Sequence, residues 1–417
     1  MKLTASVQLC LMMFLEYFVW GAWYVTMSTY MGTHVLASPG SGEFATGIQI
    51  GAAYSALAIA TMISPFFVGL IADRYFSAQR IMGVLHLIGA VLLFIVTTIS
   101  NNGPFYWIIL FYSLLYMPTI ALSNSIAFNQ MSDPGKQFPW IRVFGTLGWI
   151  VAGLLIGFLK WEKTGQTGYT FYLAAGASAL LGIFSFFLPN TPPKATSGQS
   201  SAAKALGTEA FVLFKNKAYL IFFIAAILVC IPLSFYYGFA NKFLNEIGMQ
   251  SAASKMILGQ ISEAVFILAI PFLFYRIGVK KMLLMGMIAW MLRYICFAYG
   301  NIHANLWMLY TGILLHGVCY DFFFVTGYMY TEKKAGAAIK NSAQGLFTFA
   351  TYGVGMFIGT WFSGFVVDSY KVYNPANEQH NWTKIWFVPA YIALGVLVYF
   401  ILFFREKRSA TSLQVSA

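Results

Sequence analysis

Twelve apolar runs, each about 20 residues or longer, follow one another along the chain. A run of that length crosses about 30 Å of hydrocarbon as a helix, where every backbone N–H and C=O must be satisfied within the segment. The runs are expected at 7–30, 47–71, 79–99, 104–128, 138–159 and 169–188, then at 217–244, 255–275, 281–300, 305–330, 339–367 and 382–404. Between the two sets lies a stretch rich in Pro, Ser, Ala and Gly, which reads as a linker ending in a short surface helix. The expected fold is therefore an all-α polytopic membrane protein. Its parts are an N-terminal six-helix bundle at 1–190, a linker at 191–216, a C-terminal six-helix bundle at 217–404 and a tail at 405–417.

Composition agrees with that class. Only 9% of the 417 residues are charged and mean hydropathy is +0.71, whereas a soluble domain carries about 25% charged residues. The net charge of +12 does not indicate nucleic-acid binding, because the basic residues form short clusters between apolar runs. Of the 25 Lys and Arg, 18 fall on or toward the side of the termini (Arg142, within a span, among them), 6 on the other, and Arg293, deep in a span, is assigned to neither. That bias puts both termini and the linker in the cytoplasm. Cys10, Cys230, Cys296 and Cys319 each lie in an apolar run with no CxxC spacing, so packing is expected of them rather than a disulfide or a metal. The five histidines are scattered, and no HExxH, GxSxG or glycine-rich phosphate loop is present. These absences argue against an enzyme, and neither metal nor organic cofactor is expected.

Five ionisable residues fall inside spans: Glu16, Arg142, Glu263, Arg293 and Asp321. Such a charge costs about 2–3 kcal/mol or more unless it meets a cavity or a partner. Counting 1.5 Å per residue puts Glu263 and Arg293 at similar depth in the outer half, Arg142 and Asp321 in the cytoplasmic third and Glu16 near the centre. Two ion pairs are expected from that matching, Glu263 with Arg293 and Arg142 with Asp321. In LGQISEAVFILAIPF, Gln260 and Glu263 are three apart and share a helix face. In FPWIRVFGTLGW, Arg142, Thr146 and Trp149 set a cation, a hydroxyl and a large ring on one face, as a cavity wall would. Ser234 and Tyr237 share a face near Pro232 and Gly238, and His316 stacks over Tyr320 beside Asp321. Trp20, Trp23 and Tyr24 fit either an interfacial belt or a pocket lining.

The stretch from Gly69 to Arg80, with Asp73 and Arg74, resembles the signature between the second and third spans of the major facilitator superfamily. Phe76 replaces its second glycine, and Arg80 alone remains of its final basic pair. Longer segments carry a closer likeness: FVWGAW (18–23), MPTIALSNSIAF (117–128), FPWIRVFGTLGW (138–149), FKNK (214–217), GQISEAVFILAIPF (259–272) and LLHGVCYDFFFVTG (314–327). With them the chain resembles the bacterial nucleoside:H+ symporter family of that superfamily, nearer a nucleoside-transporter branch than the best-studied permease. The resemblance implies a substrate site between the halves, where Arg142, Thr146, Gln260 and Glu263 match the family's polar residues and Trp149 enlarges an aromatic. Ser234 and Tyr237 stand where the studied permease has glutamine and asparagine, and His316 and Tyr320 where it has tyrosine and phenylalanine.

The expected function is import of nucleosides across the inner membrane by proton symport and alternating access. Its partners are a nucleoside, protons and the lipid bilayer; the proton is the coupling ion and the protein is a monomer. Glu263 suits a ribose diol and the rings of Trp149, Tyr237 and Tyr320 suit a base. Glu263, Asp321 and Glu16 are the proton-coupling candidates, and Asp73, Arg74 and Arg293 the structural or gating charges. The alternative is proton-coupled or facilitated transport of a sugar or another small polar metabolite, which the same groups would also hold.

Overall fold

Several helices begin where the sequence supplies a cap. Asp133 accepts from Lys136 N at 3.3 Å and Pro134 opens the helix Pro134–Phe158. Asn216 accepts from Ala218 N and Tyr219 N at 3.0 and 3.2 Å ahead of Lys217–Glu246, and Asn381 accepts from Lys384 N at 3.1 Å ahead of Trp382–Phe403. The computed structural model describes residues 3–67, 76–193, 208–372 and 379–405, so Asp73 and Arg74 lie outside the described residues.

Among the described residues, eleven helices are long and apolar enough to cross a membrane, and Tyr169–Ser185, with 17 residues, supplies a shorter twelfth. Span 1 is Leu3–Trp23 continued after a turn by Met27–His34; spans 2 to 4 are Gly47–Phe67, Ala78–Val96 and Asn102–Gln130. Spans 5 and 6 are Pro134–Phe158 and Tyr169–Ser185. A 3-10 helix, Thr208–Lys215, occupies the end of the linker and leads into span 7, Lys217–Glu246. Spans 8 and 9 are Ala252–Ile277 and Val279–Tyr299. Span 10 starts as Leu306–Tyr320 and passes through a π-helical turn at Asp321–Val325. The chain reverses near Gly336, whose φ of +66° is one a side chain resists. Span 11 then returns through a second π-helical turn, Phe349–Gly355, into Met356–Ser369, and span 12 is Trp382–Phe403.

Spans 1–6 pack on one another, as do spans 7–12, and the two sets meet mainly where span 2 crosses span 11 and span 5 crosses span 8. The protein is an all-α polytopic membrane protein of the major facilitator fold. Its exterior is apolar, with Phe158 and Leu268 fully turned outward, while Glu16, Arg293 and Asp321 have no exposed surface. That inversion suits lipid outside and a polar path within. The crossing of spans 2 and 11 is close because it is lined by small residues: a Cβ at Gly51 would strike the Thr360 carbonyl, and one at Gly364 the Gly47 carbonyl.

The face away from the termini is held shut by carboxylates that reach across the two sets. Glu162, after span 5, accepts from Asn241 and Asn245 of span 7 at 2.8 and 3.0 Å and from Ala253 N, at the start of span 8, at 2.9 Å. Ser251, at the N-cap of span 8, makes no side-chain cap of its own. Asp368, at the end of span 11, accepts from Gly47 N and Ile48 N at the start of span 2, at 2.5 and 2.8 Å. Thr46 and Gln49 satisfy each other's backbone N–H there at 3.1 and 3.3 Å, which leaves those two N–H groups for Asp368. On the same face a short hairpin pairs Lys371–Val372 with Gln379–His380, and His380 binds Glu246 through N and Nδ1 at 2.7 and 2.9 Å. Apolar periodicity carries no signal for that hairpin.

Candidate functional site

Between the two sets of spans a cavity is walled by groups from both. Span 1 contributes Tyr17, Trp20 and Tyr24, and span 5 contributes Arg142, Thr146 and Trp149. From the other set come Tyr237, Gln260, Glu263 and Tyr320, with Tyr352 and Met356 from span 11. The spacing of Arg142, Thr146 and Trp149 does turn all three into one space, facing Gln260 and Glu263 from span 8.

The aromatic wall is continuous. Trp20 meets Trp149 and Tyr24 edge-on, with ring centroids 5.5 and 5.7 Å apart, and Tyr24 lies 5.8 Å from Tyr237 across the interface. Trp20 and Tyr24 thus line the cavity, whereas Trp23 is buried in the first set against Tyr112 and Phe171. The hydroxyls of Tyr320 and Tyr352 touch where the two π-helical turns face each other. A π turn rotates the following residues relative to a regular helix and often marks a functional site. Tyr352 and Met356 are contributions that sequence reading missed. Gly345 before that turn and Gly353 and Gly355 within it are the local sequence signal that its helix departs from regularity.

The polar groups lie among these rings. The Arg142 guanidinium sits 4.0 Å over the Tyr17 ring, a cation–π contact. Glu263 has 23% of its side chain exposed, toward the cavity, and its nearest ionisable partner is His316, whose Nε2 is 3.6 Å from Oε2. His316 is itself fully buried behind Glu263 and is absent from the cavity wall, so its expected place in direct substrate contact is corrected.

The depth-matched pairings are also revised. Arg293 does not reach Glu263; its Nη1 lies 3.0 Å from His316 Nδ1, and its guanidinium stacks 3.4 Å over Tyr236. Arg142 does not pair with Asp321, whose two carboxylate oxygens are buried and make no hydrogen bond among the described residues. Equal depth is insufficient here because the two helices present those side chains to different neighbours. Asp321 opens the π turn directly after Tyr320 and is turned away from the cavity wall.

Ser234 is corrected as well. Its hydroxyl donates to the Cys230 and Ile231 carbonyls of its own helix, each at 2.8 Å, and packs against Gly359 rather than the cavity. Glu16 lies inside the first set, away from the cavity. Its Oε2 is 3.0 Å from His86 Nε2, Oε1 accepts from Thr119 Oγ1 at 2.7 Å, and its carbonyl accepts from the Tyr116 hydroxyl at 2.6 Å. His86 in turn meets Ser178 at 3.1 Å, so four spans converge on one buried carboxylate. A histidine in an apolar run gives no sign in sequence of which acid it will meet.

The chain is similar in sequence and fold to known proteins. The family model described as nucleoside H+ symporter matches residues 1–409. The chain is 43% identical to the "Putative nucleoside transporter YegT" of Escherichia coli (strain K12), covering 98% of this chain and 95% of that protein. It is 35% identical to the xanthosine permease of the same organism, covering 97% and 96%. A crystal structure of the nucleoside transporter NupG superposes with a TM-score of 0.85 at 32% identity, over 97% of this chain and all of that one.

Proposed function

Since the chain belongs to the nucleoside H+ symporter family, we propose that it imports nucleosides across the bacterial inner membrane by proton symport and alternating access. It is a transporter and not an enzyme. The observation that carries the proposal is the cavity itself. A carboxylate and an amide from span 8 face a guanidinium and a hydroxyl from span 5 inside one ring of aromatics. Glu263 accepts from both hydroxyls of a ribose diol, Gln260 donates and accepts one turn away, and the base stacks among Trp149, Tyr237 and Tyr320. Taken together these contacts draw on both sets of spans, so substrate is held at the interface about which the halves rock.

The cycle follows from the two closures. With the termini in the cytoplasm, as the excess of Lys and Arg directs, the face held shut by Glu162 and Asp368 is the outer one, so the protein is closed outward. Asp321 and Glu263 are the proton carriers. Asp321 is buried with no hydrogen-bond partner among the described residues, and a bare anion is poorly supported in such surroundings. Its neighbour Tyr320 lines the cavity, which supports a coupling of proton and substrate across one residue. Glu16, enclosed by its own partners in the first set, has a structural role. The proton is the coupling ion, no other cofactor takes part, and the monomer is the working unit.

Uptake of labelled nucleoside into proteoliposomes tests this reading. Uptake is expected to rise with an inward proton gradient and collapse with an uncoupler; indifference to both would mean a facilitator. Thermal stabilisation of the purified protein is measured in parallel with nucleosides, free bases and sugars. Stabilisation by sugars alone would overturn the nucleoside assignment.

A further inference from the structure

Three side chains from three helices stand in line behind the cavity: Arg293 of span 9, His316 of span 10 and Glu263 of span 8. Arg293 and His316 have no exposed surface. Arg293 Nη1 lies 3.0 Å from His316 Nδ1, and His316 Nε2 lies 3.6 Å from Glu263 Oε2. The imidazole is stacked on the Tyr236 ring, with centroids 5.0 Å apart, and the guanidinium covers the same ring, so both planes are fixed by packing.

A guanidinium only donates, so the imidazole nitrogen facing it must accept. The ring proton then sits on Nε2, the nitrogen aimed at the carboxylate. A ring carrying both protons would set two donors against each other at Nδ1. His316 Nε2 has no hydrogen-bond partner among the described residues, and at 3.6 Å the contact with Glu263 is electrostatic, slightly long for a formed hydrogen bond. No other described group competes for that N–H. The guanidinium is otherwise enclosed by the rings of Tyr236, Trp290 and Phe297, which hold it against the imidazole.

We propose that His316 is a positioning residue: it does not touch substrate, but presents its Nε2–H to Glu263 and so sets the orientation of the carboxylate that receives the ligand. Arg293 selects the tautomer, and the ring carries its polarising effect to the site. The proposal rests on Glu263 being the substrate carboxylate. It turns a position where this chain departs from the studied permease into a support for Glu263, and moves recognition of the base to Tyr237, Tyr320 and Trp149.

Two substitutions separate the ring nitrogens. His316→Gln puts an amide nitrogen near the position of Nε2, and His316→Asn puts an amide oxygen near Nδ1. The Gln variant is expected to keep the KM for nucleoside uptake within about threefold. The Asn variant should raise KM about tenfold with the maximal rate little changed, because the carboxylate then meets its ligand without the Nε2–H that orients it. Unchanged KM in both variants, or equal loss in both, overturns the proposal. Nitrogen-15 spectra of histidine-labelled wild-type protein supply a readout that needs neither variant to fold nor nucleoside to be the substrate. An Nε2–H tautomer with an accepting Nδ1 is expected for His316, and an imidazolium or an Nδ1–H tautomer overturns the proposal. If wild-type protein shows the expected tautomer but transports no nucleoside, the substrate reading fails and the positioning of Glu263 stands.

Discussion

Glu263 turns its carboxylate into a cavity where Arg142 is the other charged lining residue, so its charge has few partners inside the protein and is open to a ligand. Hydrogen bonds to an ionised group are worth about 1.5–3 kcal/mol, which makes Glu263→Gln a loss of roughly 10- to 100-fold in nucleoside uptake. Proteoliposome uptake measures it, with size-exclusion behaviour checking that the variant is folded; wild-type uptake would remove the residue from the site. Ser234→Ala should change uptake by less than about twofold, because the hydroxyl serves its own helix rather than a ligand. A tenfold loss in the same assay would return that hydroxyl to the site. The two serve as opposite cases of one inference. Spacing of three or four residues identified the face shared by Arg142, Thr146 and Trp149, and the neighbouring set happened to leave that face open. The same spacing grouped Ser234 with Tyr237, but Gly359 lets span 11 pack against the serine and only the tyrosine reaches the cavity.

Among the elements, span 1 has the most demanding anchorage. Glu16 binds His86 of span 3 and Thr119 of span 4, and Tyr116 closes on its carbonyl, one turn before Trp20 enters the cavity wall. Leaving a buried polar group without its hydrogen-bond partner costs about 1–3 kcal/mol, and Glu16 satisfies two such groups, His86 and Thr119. Glu16→Leu should therefore lower the thermal unfolding temperature of the purified protein markedly, whereas Glu16→Gln, which keeps an acceptor for Thr119, should lower it less and preserve proton-driven uptake. A Gln variant that is fully stable yet uncoupled from protons would make Glu16 a carrier after all. Spans 10 and 11 show the converse case, in which a local irregularity creates the site. Their π turns bring Tyr320 and Tyr352 into hydroxyl contact, and the regular 3.6-residue period used to read the chain cannot anticipate that turn.

At the scale of the whole molecule, each outer latch joins the fifth span of one set to the second span of the other. The segment after span 5 caps span 8, and the end of span 11 caps span 2. An anion at a helix N-terminus is worth about 0.3–1 kcal/mol when exposed and up to about 2 kcal/mol when partly buried, and opening the outer face must break both contacts. The double variant Glu162→Gln with Asp368→Asn should shift the population toward the outward-open state by roughly 3- to 1,000-fold, from summing those two contributions. Spin labels at Ser38 and Ala304, both on exposed outer loops of opposite halves, would report this as growth of a longer distance in pulsed electron resonance. An unchanged distance distribution would show that glycine-mediated packing of spans 2 and 11 closes that face without the carboxylates.

From its residues alone the chain determined the class of fold, the number of crossings, the break between two sets of six, and that its membrane charges needed explanation. Those properties follow from the cost of leaving backbone or charge unsatisfied in hydrocarbon, which acts on every residue wherever its neighbours are. Which charge meets which was decided only by tertiary structure. Helical period and rise give each side chain a depth and a direction about its own axis, but helix rotation and the nearest partner depend on how small residues let particular spans approach. Helical rise gives Glu263 and Arg293 similar depth, yet His316 stands between them. Glu16, read as central, was enclosed by His86 and Thr119 instead of opening on the substrate path.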